Sequence, residues 1–389
     1  IFFQAALRFW PVWLCLAGIL FVSFSTRGRT GLYGKLFSSG IGVVGFSIVV
    51  FWILTAIFAD VIATHDALQQ FSGMKNKAPG TPLRSPGDGD YAHFIFGGDN
   101  LARDVFSRIA YGARIVLPLA FLATTFGFLA GIITGLPSGY YGGLTDTILS
   151  FVANLILAFP VILLFFLLVT PEIREAGYQF TLWNGEIWVA SIPNLMAATF
   201  FLFPIAFLLL LWHSKFHVRP MRNLVYLGLT LFFGIWIYIG ITFDADPAGI
   251  FRINPEILTV FVSVVFVNAP GVFRIVRGLT MDVKTRDYVA SAQTRGEGTW
   301  YIMLWEILPN VRGPLIVDFC LRIGYTTILL GTLGFFGLGL EPESPDWGST
   351  INAGRKLLTI YWHTALFPAL ALMSLVLGLN LLADGLREQ

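Results

Sequence analysis

Two pairs of side chains in this sequence stand at a spacing that could support chemistry. Asp318 and Arg322 lie four residues apart in an apolar run, so they share one face of a helix. Charges in an apolar run are costly and usually face a bundle interior or a watery path. The pair predicts either an ion pathway or a self-paired structural bridge, and the sequence favours neither reading over the other.

The second pair, His213 and His217, has the same spacing and could supply two metal ligands. A zinc site needs three or four protein ligands, and no third one is nearby. The pair also borders a basic stretch that carries Lys215, Arg219 and Arg222. We interpret it as a solvated helix face and predict no metal site.

The sequence lacks the short motifs of nucleotide-dependent or hydrolytic enzymes. It contains no G-x-x-x-x-G-K-[ST] loop, no G-x-S-x-G elbow and no H-E-x-x-H pair. Its two cysteines, Cys15 and Cys320, lie in apolar runs and are predicted to be free thiols. We expect a non-catalytic chain that binds neither a metal nor a cofactor of its own.

Composition identifies the class of protein. Of the 389 residues, 56% are hydrophobic and only 12% are charged, whereas soluble domains carry about 25% charged residues. The formal net charge of +2 gives no reason to expect nucleic-acid binding. These values predict an all-α, multi-pass membrane protein in contact with lipid.

A span needs about 20 mostly apolar residues, and nine runs qualify if the short first one is counted. They are 10–25, 40–62, 115–137, 144–169, 194–212, 223–243, 256–275, 313–333 and 365–384. Lys and Arg cluster at 26–39, 213–222 and 274–312, whereas Asp and Glu mark the connections 171–193 and 244–256. Because short cytoplasmic loops carry the excess of Lys and Arg, the three basic stretches and the C-terminus are predicted to be cytoplasmic. Alternation through all nine runs satisfies every assignment.

We divide the chain accordingly. Residues 1–39 form an N-terminal segment with an extra short span, 40–62 form the next span, and 63–114 form an outer loop. Within that loop, Pro, Gly and charge at 75–90 predict irregular structure, and 101–114 mixes arginines with apolar residues, as in an amphipathic helix that leads into the next span. Residues 115–389 form the main transmembrane domain.

Two glycine patterns stand inside the apolar runs. Gly127, Gly131 and Gly135 recur every four residues and therefore share one helix face. Small residues there allow another helix to approach closely; we favour static packing over a sliding interface. A second set of glycines lies near 331–341. We predict that these residues either allow close helix packing or let the helix unwind before Glu341; they are Gly331, Gly334, Gly337 and Gly339.

The segment 287–310 is a polar, helix-compatible stretch between two apolar runs. It begins with the small residues Ala290, Ser291 and Ala292, continues to Gly296 and closes on I-L-P at Pro309. Glycine can adopt a positive φ and so join two short helices at a sharp angle, and proline disfavours helix at the residue before it. The pattern predicts a helix, a turn, a second helix and a stop at Pro309.

These residues resemble a known family. The small triplet, Gly296 and I-L-P are similar to the "EAA" loop of ABC importer permeases. Three stretches and the closing L-N-L-L-A-D-G-L-R at 379–387 resemble the second (C-type) permease of the dipeptide/oligopeptide/nickel importers. The three stretches are G-G-D-N-L-A-R-D-V-F-S-R-I-A-Y-G-A-R (97–114), G-Y-Y-G-G-L-T-D (139–146) and L-G-F-F-G-L-G-L-E-P-E-S-P-D-W-G (333–348).

The resemblance implies a type I ABC importer transmembrane domain in the bacterial inner (plasma) membrane. It implies a homologous permease as heterodimeric partner, two ATPase subunits that bind ATP and Mg²⁺, and an extracytoplasmic binding protein. The EAA-like loop would be the coupling helix, which contacts the ATPase. Its residues here are Tyr288, Ala290, Ser291, Ala292, Arg295, Gly296, Glu297 and Pro309, and the outer-loop motif includes Gly97, Asp99, Arg103 and Asp104.

The sequence departs from that family pattern in places. Ala290 replaces the usual Glu, Trp305-Glu306 replaces the usual Arg-His, and Ala102 replaces a Gly of the outer-loop motif. The block 171–255 has no counterpart and is predicted to insert two spans.

We therefore expect a permease subunit that forms half of the channel of an ATP-driven importer for di- or oligopeptides. Two alternatives are an ABC importer permease for nickel or another small solute and, from a different class, an ion-coupled secondary transporter that uses Asp318 and Arg322. The two classes differ in their energy source.

Overall fold

The computed structural model describes residues 1–28, 32–84, 86–87, 91–169, 177–181, 187–243, 249, 254–338, 340 and 343–388. Almost all secondary structure in these ranges is helical, which confirms the predicted fold class. Gly339, Glu341 and most acidic residues of the connections 171–193 and 244–256 lie outside them. The chain divides into two units, Ile1–Leu122 with Val317–Gln389, and Ala123–Ile316.

The first unit contains helices from both ends of the chain. They are α1 (Phe2–Arg8), α2 (Trp10–Thr26), α3 (Leu32–Leu36), α4 (Gly40–Ile57), α5 (Ala59–Ile62), the start of α6 (Val105–Tyr141), most of α16 (Arg312–Phe336), α17 (Trp347–Arg355) and α18 (His363–Arg387). Helices α4 and α18 pack closely because Gly42 and Gly385 lie against each other. Trp52 Nε1 also donates a 2.9 Å hydrogen bond across this contact to Ser374 Oγ.

The second unit contains the rest of α6 and the elements that follow it. They are α7 (Gly143–Ala158), α8 (Val161–Val169), β1 (Gly177–Thr181), β2 (Ile187–Ser191), α9 (Ile192–Phe200), α10 (Leu202–Phe216), α11 (Pro220–Phe243), α12 (Pro255–Val283), α13 (Asp287–Thr294), α14 (Thr299–Tyr301), the π-helix Ile302–Ile307 and α15 (Leu308–Asn310). The strands form an antiparallel hairpin with Gly177 opposite Ser191 and Thr181 opposite Ile187. The sequence predicts only an acidic connection at 171–193, so the hairpin is an addition to that prediction.

In the described residues, seven helices are long and apolar enough to cross a membrane. They are Gly40–Ile57, Val105–Tyr141, Leu195–Phe216, Pro220–Ile241, Glu256–Val283, Arg312–Phe336 and His363–Arg387. Each corresponds to a predicted span. The predicted first span is the shorter apolar helix α2.

The predicted span 144–169 is not one straight helix. Helices α7 and α8 pass the length and apolarity test only together, and they are bent by 85° at Phe159 and Pro160. Pro160 lacks an N–H group and pushes the residue before it out of helical geometry, and the backbone of Phe159 is extended.

The predicted amphipathic helix at 101–114 is also corrected. Residues 101–104 lie in a loop, and α6 begins at Val105 and runs unbroken for 37 residues through the predicted span 115–137. At a rise of about 1.5 Å per residue it is roughly 55 Å long, which exceeds the ~30 Å hydrocarbon thickness. Its first turns are not amphipathic, because Arg108 is buried together with the apolar residues around it.

Candidate coupling segment and outer-loop scaffold

Helix α13 presents one exposed polar face and one buried apolar face. Val289 and Ala292 are fully buried, whereas Asp287, Ala290, Ser291 and Thr294 are exposed. The exposed four follow the i, i+3, i+4, i+7 spacing of a single helix face. The small triplet is therefore divided: Ala290 and Ser291 lie on the surface, and Ala292 packs inward.

The exposed face of α13 is smooth because its hydroxyl groups turn back onto the helix. Ser291 Oγ donates to the Asp287 carbonyl at 2.8 Å, and Thr294 Oγ1 donates to the Ala290 carbonyl at 2.9 Å. Ala290 adds only a methyl group. A partner surface can approach this face closely without displacing long side chains.

Gly296 ends α13 in the left-handed conformation, with φ of 77°. The Glu297 N–H donates to the Ala292 carbonyl at 3.2 Å, and the Gly296 N–H donates to the Gln293 carbonyl at 3.0 Å. This pair of bonds defines the Schellman motif, which satisfies the last carbonyls of a helix. An added Cβ at Gly296 would meet nothing within 4 Å, so backbone geometry, and not space, requires glycine there.

The second helical piece of the segment comprises α14, the π-helix Ile302–Ile307 and α15. Its apolar side chains, Ile302, Met303, Leu304 and Ile307, are buried. The predicted stop at Pro309 is wrong by two residues, because helix continues to Asn310 and the break falls at Val311. The π-helix shifts the hydrogen-bond register just before the proline, and Asn310 Nδ2 donates to the Glu306 carbonyl at 2.6 Å.

The end of α6 supports the segment from beneath. Gln293 Nε2 donates to the Tyr140 hydroxyl at 3.0 Å, and the Tyr141 hydroxyl donates to Thr299 Oγ1 at 2.9 Å. Lys284 Nζ donates to the Gly139 carbonyl at 2.9 Å. Both helical pieces are thus tied to one helix end.

The remaining predicted coupling residues lie around the turn. Arg295 Nη2 is 2.8 Å from Glu306 Oε1, and Arg295 Nε is 3.7 Å from Glu297 Oε1. The Tyr288 side chain is partly buried, and among the described residues no partner reaches its hydroxyl. Burial raises the pKa of Tyr288 above its usual value of about 10, so this phenol stays neutral at physiological pH.

Trp305 connects the segment to α10, in the block predicted to be inserted. Its indole Nε1 donates to Ser214 Oγ at 3.0 Å, and Lys215 Nζ lies 4.4 Å from its ring centroid. A cation at that distance from a tryptophan face is attracted by it. The two residues that depart from the family pattern therefore both have partners, Trp305 on α10 and Glu306 at Arg295. The sequence shows the departure, but it does not identify these partners, because none of them is a neighbour in the chain.

The outer-loop motif is a buried polar network in the first unit. Asp99 accepts from Arg103 Nε at 2.7 Å and from the Leu101 and Arg103 N–H groups at 2.8 and 2.9 Å. Asp104 accepts from Thr64 Oγ1 at 2.5 Å and from Ser107 Oγ at 2.6 Å. Both carboxylates thus hold the loop that precedes α6 in place through hydrogen bonds.

Arg108 joins this motif to the stretch 343–350. Its guanidinium donates to the Ser344 carbonyl at 2.7 Å, the Glu343 carbonyl at 3.3 Å and Thr350 Oγ1 at 3.1 Å. Trp347, also fully buried, donates to the Ile109 carbonyl at 3.0 Å. We call residues 97–114 and 343–350 together the outer-loop scaffold. Two stretches that carry the resemblance thus pack against each other.

Gly97 and Ala102 show why this loop favours small residues. Gly97 has φ of 87°, and a Cβ there would lie 2.5 Å from the Lys77 carbonyl oxygen. Ala102, which stands where the family pattern has glycine, has φ of 63°. A left-handed alanine costs roughly 1–2 kcal/mol.

The other predicted groups are placed as follows. Asp318 and Arg322 pair at 2.7 Å, and both side chains are largely buried. Asn223 Nδ2 lies 3.3 Å from His213 Nδ1, and the described residues contain no group of three metal-ligating side chains. Gly127, Gly131 and Gly135 face Asn268, Val272 and Val276 of α12 in turn, where added Cβ atoms would approach to 3.2, 2.5 and 2.8 Å.

Comparison with known proteins adds a family and several relatives. The family described as "Binding-protein-dependent transport system inner membrane component" matches residues 124–389. The chain is 26% identical to the dipeptide transport system permease protein DppC of Alkalihalophilus pseudofirmus, over 92% of this chain and 87% of that protein. It is 28% identical to the glutathione transport system permease protein GsiD of Pectobacterium atrosepticum, over 86% and 81%, and 29% identical to GsiD of Escherichia coli O157:H7, over 87% and 82%.

Proposed function

We propose a function from one premise: the chain belongs to the family of binding-protein-dependent transport system inner membrane components. It is a multi-pass inner-membrane protein and a transport permease, not an enzyme. We propose further that it is the C-type subunit of a peptide importer and that the segment 287–310, which we call the coupling segment, receives the movement of an ATPase.

The observation that carries this proposal is the construction of the coupling segment. One face of α13 is exposed and smooth, and the opposite face is packed. Gln293 of α13 donates a hydrogen bond to Tyr140, and Tyr141 donates one to Thr299 of α14, so both pieces are held by the end of α6. A short helix held in this way moves as one rigid piece when its exposed face is pushed. Rigid-body displacement is a common route by which one site changes the state of another.

The proposed partners follow from the same arrangement. Two ATPase subunits would bind ATP and Mg²⁺, because this chain carries no phosphate-binding loop of its own. A homologous permease would complete the channel as a heterodimer, and an extracytoplasmic binding protein would deliver the cargo. The outer-loop scaffold, held rigid by buried Arg108, suits a fixed docking surface for that binding protein.

The proposed cargo is a short peptide. Relatives named for dipeptide and for glutathione transport support this choice, since both names refer to small peptides. Nickel or another small solute remains the alternative cargo. Purifying the complex with its binding protein and identifying the bound ligand by mass spectrometry distinguishes the two.

A secondary transporter is the competing class, and it would use Asp318 and Arg322 as an ion pathway. Their 2.7 Å contact within one helix already pairs the two charges with each other, which favours the structural bridge. Uptake into proteoliposomes separates the classes. We expect uptake to need ATP and to survive collapse of the ion gradients, and the reverse result would support the secondary transporter.

Replacement of Gly296 by valine tests the coupling role. A β-branched residue at φ of 77° is strained. A strain of about 1.4 kcal/mol lowers the equilibrium population of the native turn tenfold relative to its alternatives. We expect Gly296→Val to lower ATP-driven peptide uptake by about tenfold or more while membrane insertion stays normal.

Gly298→Val is the matched control. Gly298 lies two residues away, has φ of −66° and also has open space around its Cβ position. It should retain most of the uptake. Equal loss in both variants, or full uptake in Gly296→Val, would contradict the coupling assignment.

A further inference from the structure

The second unit contains an apolar cavity of ≈ 410 Å³ that is open on one side. Its walls come from α6, α7, α9 and α12, with Phe203 of α10 at one side. This volume is within the range of about 300–1,000 Å³ that is usual for ligand pockets. Val152 and Leu195, which line it, are also exposed on the outside of the unit. The cavity is therefore open at the surface of the unit.

The lining of the cavity selects against polar ligands. Among the described residues that line it, the side-chain hydroxyls are those of Thr134 and Thr199, and none is charged. Thr134 Oγ1 donates to the Ala130 carbonyl at 2.7 Å, and Thr199 Oγ1 donates to the Leu195 carbonyl at 3.0 Å. A peptide would bury amide groups here without partners, at a large energetic cost. The cavity is thus unsuited to the proposed cargo and suited to a hydrocarbon chain.

A cation stands beside this cavity. Arg274 follows Phe273, a lining residue, and its Nη2 donates to Asn154 Oδ1 at 2.6 Å, next to the lining residue Ala153. The Arg274 side chain is exposed, and no carboxylate of the described residues forms an ion pair with it. A guanidinium has five N–H donors, so several are available to an anionic oxygen. Arg274 also begins the basic stretch predicted to face the cytoplasm.

We propose that this cavity binds one acyl chain of a membrane phospholipid, with the lipid phosphate at Arg274. Arginine is well suited to phosphate recognition because its planar fork matches the geometry of the oxygens. Helix α9 belongs to the block predicted to be inserted, and it closes one wall. The block thereby acquires a role as the wall of a lipid site.

Photocrosslinking tests the proposal on the full transport complex in lipid nanodiscs. The probe is phosphatidylglycerol that carries a diazirine in the middle of one acyl chain, and peptide mass spectrometry maps the products. We expect products concentrated on the cavity-facing positions of α7 and α9. Equal labelling of the exposed face of α11, where Phe232 is 66% exposed, would overturn the site.

Two variants at alanines of α7 sharpen the test. Ala153→Trp fills the cavity from a buried lining position, whereas Ala158→Trp adds the same side chain at an exposed position outside it. We expect Ala153→Trp to lower labelling of α9 by roughly tenfold, since burial of several methylene groups is lost, and Ala158→Trp to leave it unchanged. Unchanged labelling in Ala153→Trp would refute the cavity as the site.

A second probe tests the phosphate contact. Diacylglycerol with the same diazirine chain has no phosphate, so it should label the cavity independently of Arg274. Arg274→Gln keeps a hydrogen-bond donor but removes the charge, and it should reduce labelling by the phospholipid to the level of diacylglycerol. If Arg274→Gln lowered labelling by both probes to the same extent, or lowered labelling by neither, the proposed role of Arg274 would be wrong. Arg274→Gln leaves the apolar lining intact. The positions that are crosslinked in the wild-type complex therefore still test whether the cavity binds an acyl chain.

Discussion

The outer-loop scaffold and the coupling segment use polar side chains in opposite ways. In the scaffold, the charged side chain of Arg108 is buried and joins distant parts of the chain, because its guanidinium reaches residues more than 230 positions away. On the exposed face of α13, the hydroxyls of Ser291 and Thr294 bond only within their own helix, and buried apolar side chains anchor the opposite face. The contrast indicates that the scaffold is built to keep its shape and the coupling segment to be contacted.

The largest expected effect comes from Arg108. Arg108→Met removes the buried guanidinium that donates to the Ser344 carbonyl and to the buried Thr350 hydroxyl, so we expect a loss of about 3 kcal/mol in the free energy of unfolding. Titration with sodium dodecyl sulfate in mixed micelles measures it. Arg114→Met, on the same helix but with 38% of its side chain exposed in a pair with Asp60, should cost less than about 1 kcal/mol. Similar costs for both variants would remove the contrast between buried and exposed charge.

A smaller effect is expected where the coupling segment meets α10. Trp305→Phe and Ser214→Ala each remove the 3.0 Å hydrogen bond and should each cost about 1 kcal/mol. Because both delete the same bond, the double variant should cost clearly less than the sum. Additive costs in the same unfolding assay would show that this bond does not stabilise the segment.

The smallest effect is a gain. Ala102→Gly relieves the left-handed backbone, and after the extra chain entropy of glycine is subtracted it should raise stability by roughly 0.5–1 kcal/mol. Ala290→Gly, on the regular helix α13, should instead lower stability by up to about 1 kcal/mol. Opposite signs for the same substitution would confirm that the two regions hold their alanines for different reasons. A loss at Ala102 would show that its methyl contacts outweigh the strain.

The sequence was sufficient wherever the cause is local. Apolar runs of sufficient length gave the spans, and a glycine at the end of a short polar helix gave the turn at Gly296. The 85° bend has an equally local cause in Pro160, but the run around it is so apolar that length alone suggested a single span.

Non-local causes escaped prediction. The arginines of 101–114 alternate with apolar residues, and this pattern is also that of an amphipathic helix. Only the partners of Arg108, which lie far away in the chain, make it a buried group. The role of Trp305 was hidden for the same reason, because Ser214 and Lys215 belong to another helix. Pro309 does not end the helix because it lies in the first turn of α15, where a missing N–H is tolerated.

The hydroxyl groups of Ser291 and Thr294 have a consequence for the rate of the transport cycle. Both hydroxyls already donate to carbonyls of their own helix, so a partner that docks on them gains few new hydrogen bonds there. Docking of this kind is fast to form and easy to reverse. For the proposed contact with the ATPase, a surface that binds weakly suits a contact that must form and break in every transport cycle.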